Sequence, residues 1–175
     1  MVNMFHSHYH PVVFLPPEYE IYDFSRGYDP DRVLKTTYGI GKYGEYRPGM
    51  YKGDLFENDK RCIHMGIDIG APIDTPIYAF DDGEIFCFGI NDKPFDYGPT
   101  IITKHKIKRR IVYALHGHLS TKSLRSIQIG QKFKMGDQIA TIGTKEENGG
   151  WNPHIHFQLS YMRPETHDLP GVVSK

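Results

Sequence analysis

Short apolar runs separated by turn-forming residues occupy the chain from Ile63 onward. Most of these runs are four to eight residues long, and they cover residues 77–80, 83–90, 100–104, 111–119, 138–142 and 155–159. Between them lie clusters such as Asp81-Asp82-Gly83 and Glu147-Asn148-Gly149-Gly150, which favour sharp turns. Runs of this length and spacing are typical of β-strands. The pattern predicts a mainly β, sandwich-like domain in which an antiparallel sheet folds over a core, with little helix.

The first 60 residues have a different composition. They are rich in Tyr, Gly, Pro and Asp and show no sustained hydrophobic periodicity. We expect a loop-rich N-terminal arm that packs on the β domain, with a short helical turn at residues 30–35. A chain of 175 residues is long enough to bury one core. The expected division is an arm over residues 1–60, the β domain over residues 61–165 and a tail over residues 166–175.

The overall charge gives no sign of a nucleic-acid partner. Lys plus Arg and Asp plus Glu each number 21, so the formal net charge is zero with His neutral. The dense basic run at residues 104–110 lies between two apolar stretches, where a solvated hairpin tip is expected. Cys62 and Cys87 lack the spacing of a disulfide framework, and we expect both to be inert, small residues.

Residues 1–10 contain neither a basic leader nor the continuous apolar run of a secretory signal. No later stretch reaches the roughly 20 apolar residues that a membrane helix needs. We therefore expect a protein without a membrane span, and we favour a monomer. It would be cytoplasmic as given, or periplasmic or at the cell surface if a leader is removed.

The segment His64-Met65-Gly66-Ile67-Asp68 offers a first pair of metal ligands. An imidazole nitrogen and a carboxylate oxygen both suit zinc, which takes three protein ligands in catalytic sites and leaves a fourth position for water. The β-branched Ile67 and the glycine disfavour a helix, so we expect a bend at Gly66 that aims His64 and Asp68 at one ion. The alternative for such a pair is a surface hydrogen bond or a satisfied core contact.

Two further histidine pairs follow. Side chains two apart share one face of a strand, so His154 and His156 should point together, opposite Ile155. Metal binding or catalysis would explain them, and the polar face of an edge strand is the alternative. His116 and His118 should also share a face, where a neutral imidazole can hydrogen-bond a nucleophile or a tetrahedral oxyanion.

These blocks, in this order, resemble the signature of the lysostaphin-like zinc metallopeptidases, also called the LytM or peptidoglycan endopeptidase family. The matching blocks are His64-x-Gly66-x-Asp68, the strand Tyr113 to Ser120 and the closing His154-x-His156. The likeness continues from His64 through Ile85 and into the paired glycine turns at Gly130 and Gly136. It covers about residues 60–160.

The resemblance implies a β domain of the lysostaphin-like type with an open zinc cleft. It also implies that His64, Asp68 and His156 hold one zinc ion, with water or substrate as the fourth ligand. His118 and His154 would then form the catalytic pair, because Gly117-His118-Leu119-Ser120 aligns with the Ala-His-Leu-Ser segment of the family. We favour His154 as the general base and His118 as the donor to the tetrahedral intermediate, an assignment that the sequence leaves open.

Three positions are expected to meet the substrate. Arg47 is predicted to receive a substrate carboxylate, or else to lie on the surface while its tyrosine neighbours pack. Trp151 is predicted to stack on a substrate or to close the edge of the core, and His116 to line the cleft wall. The chain departs from the family at Asp74, which stands where a glycine is common before Thr-Pro.

The resemblance implies a zinc-dependent endopeptidase that acts on peptidoglycan cross-bridge or stem peptides. Two alternatives stay open, a non-catalytic binding module that regulates cell-wall enzymes and a cytosolic zinc peptidase that cleaves short peptides. The arm of about 60 residues ahead of the peptidase blocks also suggests a built-in inhibitor that occludes the zinc.

Overall fold

An eight-stranded sheet forms the centre of the protein. The computed structural model describes residues 8–27, 29, 36–51, 53–56 and 60–175, so the helical turn predicted at residues 30–35 lies outside the described residues. In chain order the strands are β1 Glu20–Ile21, β2 Gly39–Gly41, β3 Arg61–His64, β4 Ile67–Gly70, β5 Pro76–Tyr78, β6 Gly83–Asn91, β7 Gly98–Ile107, β8 Arg110–Gly117, β9 Lys132–Phe133, β10 Gln138–Thr141, β11 His154–Ser160 and β12 Val172–Ser174. The central sheet has the order β1-β2-β4-β11-β8-β7-β6-β9, and β10-β5 and β12-β3 form two ribbons.

The mainly β, antiparallel fold predicted from the sequence is confirmed. The six apolar runs fall on β5, β6, β7, β8, β10 and β11. Where the chain is described, every strand pairing is antiparallel except the short pair β1–β2. Helix is limited to two single 3₁₀ turns, Asp54–Phe56 and Thr121–Leu124, in the described ranges. No helix of that part is long and apolar enough to cross a membrane.

Strand alternation divides the core between the two faces of the sheet. On one face, Ile101 and Ile155 pack with residues of the β5–β10 ribbon such as Ile77. On the other face, Ile102 and Leu115 pack with Tyr97 and with Leu169 from the C-terminal segment. We call this second side the cleft face, because the histidines of β11 emerge on it. Burial of these apolar side chains stabilises the fold by roughly 1.5–3 kcal/mol for each large one.

Residues 166–175, which we predicted as a C-terminal tail, pack against and pair with the β domain. Val172 pairs with His64 as β12 joins β3. Leu169 lies in the core of the cleft face, and the Gly171 carbonyl accepts a hydrogen bond from the Met65 amide at 2.8 Å. The physical reason is that a short strand can be held by backbone hydrogen bonds and one buried side chain without a long apolar run.

The N-terminal arm docks beside the same strands. Its β2 extends the central sheet by pairing with β4, so that Gly41 lies opposite Asp68. Farther along, the His64 amide donates to the Glu45 carbonyl at 3.0 Å and the Arg47 amide to the Cys62 carbonyl at 2.8 Å. The predicted packing of the arm on the domain therefore takes the form of strand pairing along β3 and β4.

Two turns contain residues that the sequence analysis singled out, the basic run and Asp74. The basic run crosses the tight turn between β7 and β8, where Lys108 has a φ of 55°. Asp74 has a φ of 64°, in the left-handed region that glycine adopts without strain. Aspartate is one of the few other residues that tolerate this region, which accounts for its place at this turn.

Candidate active site

Three side-chain atoms that are able to ligate a metal meet at one point on the cleft face. The atom His64 Nε2 lies 3.0 Å from His156 Nδ1 and 3.1 Å from Asp68 Oδ1, and the last two atoms are 3.1 Å apart. The strands bring them together because β4 and β11 pair with Asp68 opposite His156, so both side chains leave the same face. His64, at the end of β3, approaches from the side. All three are buried, with exposures of 8% or less.

The outer nitrogen of each imidazole has a hydrogen-bond acceptor that fixes the position of its proton. His64 Nδ1 donates to the Lys42 carbonyl at 2.9 Å, and His156 Nε2 donates to Gln158 Oε1 at 3.1 Å. The Gln158 amide is held in that orientation because its Nε2 donates to the Pro170 carbonyl at 3.2 Å. Each imidazole therefore carries its proton on the outer nitrogen and turns a lone pair inward.

This arrangement is suited to a cation. Two nitrogen lone pairs and a carboxylate oxygen within 3.1 Å repel one another unless a positive charge lies between them. Zinc binds such atoms at about 2.0–2.2 Å, which in a tetrahedral site places ligand atoms about 3.3–3.6 Å apart, a few tenths of an ångström wider than the spacing here. Two imidazoles and one carboxylate also leave the fourth tetrahedral position open, as in catalytic zinc sites. The residues present fit a zinc ion.

Charge supports the anionic form of Asp68. Burial by itself would raise the pKa of this carboxyl, but the neighbouring His64 and Arg47 outweigh burial and hold the pKa well below its usual range. The carboxylate is thus available as a ligand at every physiological pH.

Gly66 makes room for a ligand as well as forming a bend. A Cβ atom at this position would lie 2.5 Å from the Cε1 and Nε2 atoms of His156, closer than real Cβ contacts allow. The sequence predicted only a bend that aims His64 and Asp68. The close approach of the His156 ring is an additional reason for glycine here.

His118 and His154 lie side by side next to the three ligand atoms, with ring centroids 4.3 Å apart. His118 Nδ1 donates to the Asn148 carbonyl at 2.8 Å, and His154 Nδ1 donates to the Asn152 carbonyl at 2.7 Å. These bonds leave Nε2 of each ring as the proton-accepting atom. Burial, joined by the charge of the neighbouring histidines, lowers the pKa of His118 well below its usual range, and burial also lowers the pKa of His154.

His118 reaches the cleft through a backbone turn and not through strand alternation. The strand β8 ends at Gly117, and His118 has a φ of 62°, in the left-handed region that is uncommon for residues other than glycine. Its amide donates to the Tyr97 carbonyl at 2.8 Å, and its carbonyl accepts from the Gly143 amide at 3.0 Å. Two backbone hydrogen bonds thus hold a conformation that is unfavourable by itself.

The prediction that His116 lines the cleft is wrong. His116 pairs with Phe157 on the opposite face of the sheet and is 0% exposed. Its Nδ1 lies 3.3 Å from the Ile101 carbonyl, its ring contacts Phe157, and its Nε2 has no hydrogen-bond partner. The expectation that His116 and His118 share a face failed because the left-handed turn at His118 breaks the alternation.

His116 should make the fold sensitive to acid. Burial, with His105 nearby, lowers its pKa to about 3, whereas an unfolded histidine titrates near 6.5. Below pH 6.5 the unfolded state binds the extra proton, so stability falls as the pH falls. The free energy of unfolding of the wild type should fall between pH 7.5 and pH 5. In the His116→Phe variant this fall should be smaller by about 2 kcal/mol. Urea unfolding at both pH values, with a chelator present, measures this, and an unchanged loss would contradict it.

Arg47 is not available to a substrate carboxylate, which corrects the prediction. Its side chain is 1% exposed, and it donates to Asp68 Oδ2 at 2.7 Å, to Glu45 Oε2 at 2.9 Å and to the Tyr51 hydroxyl at 3.0 Å. The alternative of a surface arginine is also wrong, because buried acceptors surround the guanidinium. Sequence reasoning missed Glu45 and Tyr51 as its partners.

Trp151 lies on the rim of the cleft. The cleft is a cavity of about 230 Å³ whose lining includes Trp151, Tyr51, Tyr97 and the C-terminal residues Leu169 and Val172. The Trp151 indole Nε1 donates to the Phe95 carbonyl at 3.1 Å, and its ring contacts Tyr51 and Phe95. These contacts close the edge of the cavity, and the partly exposed ring also faces the space that a ligand would enter.

Comparisons with known proteins place this geometry in a family. The family model described as Peptidase family M23 matches residues 62–167, more than half of the chain. The cell division protein DipM of Caulobacter vibrioides is 35% identical over 97 residues, which make up 55% of this chain and 14% of DipM. The peptidoglycan DD-endopeptidase ShyC of Vibrio cholerae is 29% identical over 121 residues, which cover 63% of this chain and 24% of ShyC. The chain spans less than a quarter of either relative.

A solved structure has a similar fold. The crystal structure of a zinc-containing peptidase from Vibrio cholerae matches with a TM-score of 0.50 and 21% sequence identity, over 73% of this chain and 36% of that chain. The arm before residue 62 lies outside the segment that the family model matches.

Proposed function

This chain belongs to peptidase family M23, and from that premise we propose that it is a zinc-dependent metalloendopeptidase that hydrolyses peptide bonds of peptidoglycan. The observation that carries the proposal is the meeting of His64 Nε2, His156 Nδ1 and Asp68 Oδ1 with their lone pairs turned inward. Zinc held by these atoms would supply Lewis-acid chemistry, since it lowers the pKa of water and polarises a peptide carbonyl.

In this proposal His118 and His154 handle the proton. Both rings present an unprotonated Nε2 beside the ligand atoms, because each Nδ1 proton is committed to a backbone carbonyl. His154 Nε2 lies 3.7 Å from Asp68 Oδ1, and this carboxylate favours a positive charge on His154. The ring centroids are 4.3 Å apart, so a positive charge on both rings at once is unfavourable. The pair would therefore take up one additional proton and not two.

The proposal gives the two histidines different roles. His154 is the general base, because the carboxylate beside it stabilises the imidazolium that forms when Nε2 takes a proton from the attacking water. It later returns that proton to the leaving amine. His118 accepts a hydrogen bond at Nε2 and orients the same water, and it then accepts one from the hydroxyl that this water leaves on the tetrahedral carbon.

The substrate class rests on the family and on the shape of the cleft. The relative ShyC is named as a peptidoglycan DD-endopeptidase, and the chain covers 24% of it. A second cavity, of about 400 Å³, shares Met50, Asp68, Trp151 and His154 with the cleft. Both cavities are lined by Asp68 and His154, so an extended peptide that occupied the two would pass beside the metal-binding side chains. A complete set of metal-binding and proton-accepting side chains favours an enzyme over the binding-module alternative.

Metal removal tests the proposal. We expect the purified protein to hold about one zinc ion per chain and to cleave peptides released from purified peptidoglycan, with cleavage lost on chelation and restored by zinc. Metal analysis and chromatography of the products measure this. Cleavage that survives chelation would refute the metal mechanism. Bound zinc with cleavage of other peptides alone would refute the peptidoglycan substrate, and a chain without zinc affinity would favour the binding module.

A further inference from the structure

The N-terminal arm touches two of the proposed ligands on the side away from the metal. Arg47 Nη1 donates to Asp68 Oδ2 at 2.7 Å, and the Lys42 carbonyl accepts from His64 Nδ1 at 2.9 Å. We infer that the arm contributes to metal binding through Arg47, which is a positioning residue. Arg47 holds Asp68 Oδ2 in a hydrogen bond, so that only Oδ1 faces the metal. The inference rests on the proposed zinc site, and it concerns residues outside the family-matched segment.

The position of Arg47 is fixed by its own partners. The guanidinium is buried and bonds to Glu45, Tyr51 and Asp68, and Glu45 is in turn held by the Phe24 amide at 3.1 Å and by the Lys42 ammonium at 3.1 Å. Arginine suits this role because its planar fork reaches several acceptors at once. A buried charge in such a network cannot move without leaving a partner unpaired, which is costly. The guanidinium is therefore a rigid anchor for the carboxylate.

The number of carboxylate oxygens that face the metal decides whether water can bind. A carboxylate can ligate with one oxygen or with both. Two imidazoles and two oxygens would fill the four positions of a tetrahedral ion and leave none for water. By holding Oδ2 at 2.7 Å on the far side, Arg47 keeps the fourth position open.

Gly41 leaves the space in which Arg47 and Asp68 meet. A Cβ at Gly41 would lie 2.7 Å from Arg47 Nη2 and 3.0 Å from Asp68 Oδ2. Gly39, two residues earlier on the same face of β2, offers a matched comparison, because a Cβ there would meet the Tyr22 ring instead. Alanine at either position should crowd β2, but only alanine at Gly41 presses on the arginine–carboxylate pair.

The test measures zinc affinity of the full chain by competition with a chromophoric chelator. We expect Arg47→Met to bind zinc about 10–100-fold more weakly, the range typical of lost outer partners of metal ligands. Arg47→Lys, which keeps the charge but not the fork, should recover part of this loss. Gly41→Ala should also weaken binding, whereas Gly39→Ala should bind zinc like the wild type. At saturating cobalt, Arg47→Met should show a changed visible absorption spectrum, because the carboxylate is free to bind through both oxygens.

The outcomes separate this inference from the proposed function. If the wild-type chain binds no zinc, the proposed function fails. If it binds zinc but Arg47→Met matches it in affinity and cobalt spectrum, the positioning role is wrong and the peptidase proposal stands. If Arg47→Met does not fold, the Gly41→Ala and Gly39→Ala pair decides, and equal zinc affinities in that pair would overturn the inference.

Discussion

Replacing His156 with alanine is expected to abolish stoichiometric zinc binding and to lower peptide cleavage by about 10³-fold or more. His156 supplies one of three inner ligand atoms, and the two that would remain, on His64 and Asp68, cannot complete a tetrahedral site. A metal ion contributes several kcal/mol of transition-state stabilisation, and each 1.36 kcal/mol corresponds to about a tenfold change in rate. Zinc content and kcat/KM on one defined peptide measure the effect.

A histidine outside the site serves as the control. His8 is exposed, so His8→Ala removes an imidazole that can bind zinc adventitiously without touching the cleft. The control should keep full zinc content and activity. A His156→Ala protein that retains one tightly held zinc ion and wild-type cleavage would disprove the assignment of the ligands.

Replacing His118 with asparagine should lower kcat by about 10²–10⁴-fold while zinc stays bound. His118 offers Nε2 to the reacting groups, and asparagine has no atom that takes up a proton in the physiological range. Asparagine is chosen because it tolerates the left-handed backbone that His118 adopts, with its φ of 62°. The variant therefore removes the imidazole Nε2 and retains the backbone conformation of the turn. Zinc content and single-turnover cleavage rates are the measurements.

The partner histidine supplies the comparison. His154→Ala should lower kcat at least as far, because this ring lies closer to Asp68 and holds the shared proton in our proposal. If His118→Asn loses zinc together with activity, the residue acts on the metal site and not on the proton. If His118→Asn cleaves at the wild-type rate, a catalytic role for it is excluded.

Much of the fold was predictable because its longer strands carry a visible pattern. The strands β6, β7 and β8 have eight to ten residues each, and their apolar runs are bounded by turn residues. The strands β1, β9 and β12 have two or three residues, too few to show alternation. They are set by tertiary pairing, such as β12 with β3, which one sequence does not reveal.

Spacing predicted the shared face of His154 and His156, the family resemblance supplied the rest of the inner set, and the outer partners mostly could not be predicted. His154 and His156 share a face because they are two apart, and the structure brings both beside Asp68. By the same alternation Gln158 could have been named as a partner of His156. The acceptor carbonyls of Lys42, Asn148 and Asn152 could not be predicted from the sequence, because every residue has a backbone carbonyl. Arg47 was recognised but assigned to the substrate, since burial cannot be read from a loop-rich segment.

The pairing of β4 with β11 also has a consequence for when the proposed metal site forms. Asp68 and His156 are 88 positions apart in sequence, and closing so long a loop is slow compared with forming local turns. A refolding chain has no complete zinc site until these two strands have met. Zinc bound at this site should therefore leave the folding rate almost unchanged and act chiefly by slowing unfolding.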